Sequence, residues 1–130
     1  GLTNRTEADG LAVAQASRLA AGLMRERLSG VYTVDDATLF QHLLRAHEAE
    51  GLRIEPSAAA GLEGPLRLTQ SAIGRAWLEQ AGLLAQLPQA THVAWTTGGS
   101  LLPDTEFERF LARGRGLSTT ATATATATAS

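Results

Sequence analysis

Three short runs hold the residues whose types and spacing could do chemistry. Glu55-Pro56-Ser57-Ala58-Ala59-Ala60-Gly61 sets a carboxylate at the mouth of a small-residue helix, where Pro56 fits because its missing N–H would be unpaired there in any case. Thr96-Thr97-Gly98-Gly99-Ser100 closes the apolar run Val93-Ala94-Trp95. Its glycines let the backbone approach a ligand closely, and a hydroxyl such as that of Thr97 can hydrogen-bond a ring nitrogen or a phosphate. Ala8-Asp9-Gly10-Leu11-Ala12-Val13 is a turn entering a small-residue helix. Taken singly, each run has a plain structural explanation. Glu55 is then an acid that satisfies helix N–H groups, Asp9 a cap, and Thr97-Gly98-Gly99 an ordinary strand-to-turn transition.

Other site chemistries find little support. His42, His47 and His92 show no metal-ligand spacing, and no metal site is expected. His42 and His47 are five apart and share a helix face poorly, so His42 is expected toward solvent, with His47 over the core. Asp9, Asp35, Asp36 and Asp104 all fall at helix starts, which accounts for them without catalysis. No nucleophile elbow, phosphate loop or dinucleotide fingerprint is present. Trp77 and Trp95 read as core anchors.

The elements that must position these runs follow from periodicity and punctuation. Ala12, Ala16, Leu19, Leu23 and Leu28 recur at helical spacing up to Gly30. Val31-Tyr32-Thr33-Val34 has the β-branched and aromatic composition of a strand. Asp35 and Asp36 open a helix carrying Phe40, Leu43, Leu44 and His47 and ending near Gly51. Leu52-Arg53-Ile54 is an extended approach to Glu55. A further helix is expected through Ser71–Leu78, a buried strand over Val93–Thr97, and a last helix from Pro103-Asp104 with Phe107, Phe110 and Leu111 inward. Strands alternating with helices imply an α/β fold, a partial parallel sheet with flanking helices.

The chain of 130 residues is long enough for one domain with a modest core, and its 44% hydrophobic content fits a folded chain. A net charge of -2 offers no footprint for nucleic acid or for an anionic membrane. No apolar run approaches the ~20 residues of a membrane span. Cysteine is absent, which is compatible with a cytoplasmic location and excludes disulfides and thiolate metal sites. Ser118 to Ser130 is almost pure Ala and Thr in alternation, expected as a low-complexity, disordered tail over 118–130, with a linker as the alternative. The organised part is then 1–117.

The order and spacing of the runs, with Gly30-Val31-Tyr32-Thr33 and Arg53-Ile54-Glu55-Pro56-Ser57-Ala58 between them, resemble the D-serine dehydratases (D-serine ammonia-lyases). More distantly they are similar to threonine dehydratases and serine racemases. The resemblance covers about residues 6–115. It implies the C-terminal part of a fold-type-II (tryptophan synthase β-like) enzyme dependent on pyridoxal 5'-phosphate (PLP), converting D-serine to pyruvate and ammonia. It further implies Thr97 facing the pyridine nitrogen, Gly98 beside it, Gly10 packed against the cofactor and Glu55 near the ring edge. Ser100 stands where the family often has a third glycine. All 11 basic side chains are Arg, and PLP enzymes hold their cofactor on a lysine amine. The Schiff-base lysine and the glycine-rich phosphate loop of the family are therefore expected upstream, in a missing N-terminal part of the same chain. The expected partners are that part and the small-molecule substrate D-serine, in a monomeric parent. The alternatives are a threonine dehydratase or racemase-type fragment, and a non-catalytic stand-alone ligand-binding module.

Overall fold

In the computed structural model, residues 5–13 and 15–128 are described, with side chains through Ser118. Six α-helices carry the chain: α1 (Arg18–Met24), α2 (Asp36–Glu50), α3 (Pro56–Ala59), α4 (Glu63–Gln70), α5 (Ala72–Gln80) and α6 (Asp104–Thr128). Short 3-10 turns lie at Asp9–Leu11, Ala60–Leu62 and Leu84–Gln89.

α2 has the boundaries its sequence dictates. Asp35 caps it, its carboxylate accepting from the Thr38 amide at 2.9 Å. Gly51 ends it in the left-handed conformation, φ 65°, with its N–H on the His47 carbonyl at 2.8 Å. The stripe of Phe40, Leu43 and Leu44 packs against Phe107, Phe110 and Leu111 of α6, and Ile54, Ala58 and Ala59 close the cluster. Phe40 and Phe110 meet at 5.6 Å between ring centroids. The two helices approach so closely that a Cβ on Gly114 would lie 2.7 Å from the Phe40 carbonyl oxygen. His47 covers the core edge, its ring set edge-on to Phe107 at 5.1 Å.

The expected α/β fold with a partial parallel sheet is overturned: among the described residues there are helices and no strand. Residues 31–34 and 93–97 have strand composition but, among the described residues, no neighbouring strand to pair with. A ladder is a property of two chains side by side, so composition alone cannot make one. Val93 and Trp95 are 87% and 84% exposed, so Trp95 anchors no core here. The helix expected up to Leu28 contracts to α1, whose Leu19 and Leu23 are exposed. In the other direction, α6 runs on to Thr128, so the Ala/Thr stretch expected to be disordered is helical that far. Alanine, five of those thirteen residues, is the strongest helix former.

α4 was not anticipated, and it corrects the reading of His42. That side chain is 7% exposed, not solvent-facing, and its Nε2 meets the Glu63 carboxylate at 2.7 Å. Glu63 also holds Arg67 at 2.7 Å. Tyr32 lies over the same corner and donates to the Ala60 carbonyl at 2.9 Å. Desolvation, and then the Glu63 carboxylate, push its phenol above the ordinary value.

Candidate functional site

The site is assembled by three backbone segments that converge on Glu55. Arg53 sets the first. Its guanidinium donates to the Leu102 carbonyl at 2.7 Å, pairs with Asp104 at 2.8 Å and lies 4.6 Å over the Phe107 ring. Ile54 is buried beside it in the core. Residues 53–55 are thereby fixed against the start of α6.

The second segment is the glycine turn. The Glu55 amide donates to the Gly98 carbonyl at 3.2 Å, and the Leu102 amide to the Gly99 carbonyl at 3.1 Å. Gly99 has φ 128°, and a Cβ there would lie 2.5 Å from the Ile54 Cα, so a side chain at this position is doubly excluded. A Cβ on Gly98 would lie 2.5 Å from the Glu55 carboxyl carbon. The carboxylate of Glu55 therefore rests on the bare backbone of Gly98.

The third segment is the Gly10 turn. A Cβ on Gly10 would lie 2.8 Å from Ser57 Oγ and 3.5 Å from a Glu55 carboxylate oxygen. The Ser57 hydroxyl is buried and has no hydrogen-bond partner among the described residues. Glu55 is the N-cap residue of α3, yet its side chain makes no capping bond. The plain structural explanation of this acid is thus not realised.

Gly10, Glu55 and Gly98 come together, and Thr97 is exposed next to Gly98. A cavity of about 260 Å³ opens beside Glu55, lined by Gly99, Ser100, Leu101, Leu102 and Pro103. Sequence reasoning passed over Ser57, Gly99 and Arg53 as individual positions, although all lie in the quoted runs. Their signal was the conjunction of a small-residue helix, a double glycine and one cation before a buried isoleucine. Asp9 holds the Gly10 amide at 2.8 Å, as a local cap would. His92 is exposed and remote from these contacts. Among the described residues no group of His, Asp and Glu could hold a metal ion, and no helix is long and apolar enough to cross a membrane.

Gly10 and Gly98 thus both lie against the Glu55 carboxylate, with the buried Ser57 hydroxyl beside Gly10. The chain has curated relatives. It is 65% identical over 117 residues to a probable D-serine dehydratase of Paracidovorax citrulli, covering 90% of this chain and 26% of that protein. It is 58% identical over 111 residues to a probable D-serine dehydratase of Sinorhizobium medicae, covering 85% of this chain and 25% of that one. A probable D-serine dehydratase of Burkholderia thailandensis is 58% identical over 113 residues, with 87% and 25% covered. The chain thus spans about a quarter of the length of the curated relatives it matches, and the match falls in their C-terminal part. No protein-family profile matches it.

Proposed function

We propose that this chain forms the C-terminal wall of the cofactor site in a PLP-dependent lyase that deaminates D-serine to pyruvate and ammonia. The observation that carries the reading is the convergence of Gly10, Glu55 and Gly98 in a chain 65% identical to a probable D-serine dehydratase. What supports PLP here is the chemistry of the donor set: a buried Ser57 hydroxyl without a partner among the described residues, and a Glu55 carboxylate that makes no bond to its own helix.

When bound, the cofactor supplies an electron sink for loss of the D-serine Cα proton and β-hydroxyl. The role of these 130 residues is to receive and orient it. Gly10 and Gly98 let it lie against the backbone. Thr97 offers a neutral hydroxyl to the pyridine nitrogen, which does not hold a proton on that atom, and Glu55 stands at the ring edge. The lysine that anchors PLP belongs to the rest of the parent protein, since this chain contains none. That remainder is also the partner that covers the exposed apolar side chains of Val93, Trp95 and Leu101.

The test is to express the full-length parent and record its visible cofactor absorbance before and after adding D-serine. A lysine-bound PLP band that changes as pyruvate accumulates supports the reading. A PLP band that responds to L-threonine and not to D-serine moves the substrate assignment. A parent that neither contains lysine upstream nor binds PLP leaves a stand-alone binding module.

A further inference from the structure

The Gly10 face is held by atoms remote from the wall it belongs to. Among the described residues no hydrogen bond joins the Gly10 turn to Glu55 or Ser57. The segment just before it is tied down instead. Asp36, the first residue of α2, accepts from Thr6 Oγ1 with one carboxylate oxygen at 2.5 Å and from the Glu7 amide with the other at 3.0 Å. Thr6 Oγ1 in turn accepts from the Ala8 amide at 3.0 Å. Ala8 is buried, and its carbonyl accepts from Leu11 at 2.9 Å to close the turn. The Glu7 carboxylate reaches the other side, pairing with Arg113 and, at 3.7 Å, with Arg109 of α6. Arg113 is itself fixed, its guanidinium 4.5 Å over the Phe40 ring.

We propose that Asp36, acting through Thr6, is a positioning residue that sets the Gly10 backbone against Ser57 and Glu55 and so fixes the cofactor-facing wall, with Glu7 and Arg113 as a second tie. This rests on the cofactor site proposed above. Asp36 offers two acceptors to a segment whose donors would otherwise be unpaired at the edge of the core. Both ties end on α2 and α6, the most firmly packed pair in the molecule, so the turn takes its place from the core and not from its ligand.

The test uses the full-length protein with Asp36→Asn, Thr6→Val and Thr6→Ser, and Asp35→Ala as a control at the same helix start. Two quantities are read: amide exchange at Leu11 and Ala12 without cofactor, and the PLP dissociation constant. Asp36→Asn leaves one acceptor oxygen for two donors, so one of its two bonds is lost, and Thr6→Val removes both bonds of the hydroxyl. Each is expected to speed exchange and weaken PLP binding roughly tenfold, the size of one lost hydrogen bond. Thr6→Ser keeps the hydroxyl and is expected to retain wild-type values. Asp35→Ala, which removes a cap at the same helix start but none of the hydrogen bonds of the tie, is expected to leave both readouts in place. Unchanged exchange in Asp36→Asn and Thr6→Val overturns the tie. Faster exchange with unchanged PLP affinity overturns its positioning role. A wild-type parent that binds no PLP overturns the underlying site assignment, and is told apart from failure of the tie because exchange is measured without cofactor.

Discussion

At the scale of residues, the two adjacent glycines of the site separate function from stability. The atoms nearest a Cβ on Gly98 are those of the Glu55 carboxyl, the far end of a flexible side chain, so Gly98→Ala is expected to swing Glu55 aside while sparing the fold. In the full-length parent, under the proposed function, this displacement is expected to lower kcat/KM about 100-fold, the cost of misplacing a group by about 1 Å, with little change in the thermal midpoint. On Gly99 a Cβ meets the Ile54 backbone at φ 128°, so Gly99→Ala is expected to destabilise by about 1–3 kcal/mol, measured as loss of soluble, protease-resistant protein. Thr97→Val is expected to keep the fold and reduce turnover up to roughly tenfold, one hydrogen bond's worth. An unchanged rate constant would remove Thr97 from the cofactor's surroundings. Gly10, Glu55, Thr97 and Gly98 stood out through the order and spacing of their runs and the resemblance these carry, since each run alone has a plain structural explanation. Ser57 and Arg53 stayed among their neighbours. Their roles depend on what faces them, Gly10 across one gap and Leu102 with Asp104 across another, and no periodicity encodes that.

At the scale of elements, α2 and α6 carry the core, and each start or close approach offers a test. Asp35 caps α2, and chiefly its bond from the Thr38 amide holds its carboxyl below the ordinary 3.8. A depressed folded pKa means that the cap contributes above the unfolded value and is lost as pH falls through the folded one. Asp35→Ala is therefore expected to cost α2 about 1 kcal/mol near neutral pH. In exchange protection at Thr38 and Leu39, the difference between variant and wild type is expected to fade as the pH drops below 3.8. Gly114→Ala is expected to push α6 off the Phe40 carbonyl and cost about 1–3 kcal/mol, read from protection at Leu43 and Leu111. Both helices were legible because caps, a left-handed glycine and an i, i+3, i+4, i+7 stripe agree with one another. α4 was not legible, so Glu63, the partner of His42, was not expected, and His42 was placed toward solvent. The strands are the converse case. Residues 31–34 and 93–97 have the right composition, but a strand needs a neighbour, and none is supplied by the described residues.

At the scale of the whole molecule, the arrangement of apolar surface bears on whether these 130 residues can stand alone. A compact core forms between α2 and α6, yet Val93, Trp95 and Leu101 are 87%, 84% and 96% exposed, and Val31, Ile73, Leu19 and Val13 are exposed as well. Near α5 a groove of about 630 Å³ is lined by Val31, Tyr32, Gly64, Ile73 and Trp77, with Arg67 at its side. Monomeric proteins seldom leave this much apolar surface open without a partner. Burying a side chain such as valine or leucine is worth about 1.5–3 kcal/mol, so several left in water remove a share comparable to the whole stability of a small domain, roughly 5–15 kcal/mol. The backbone over 91–97, outside any helix, adds N–H and C=O groups open to pairing with another chain. The isolated 130-residue polypeptide is therefore expected to self-associate, to bind an apolar dye strongly and to melt without a sharp transition. Coexpression with the remainder of the parent is expected to suppress all three, because the same surfaces would then be buried. Sedimentation and dye fluorescence of the two preparations, side by side, decide the matter. A monodisperse isolated monomer with a cooperative melt and no dye binding would mean that the exposed residues are tolerated as they stand, and the proposed dependence on the rest of the chain would have to be abandoned.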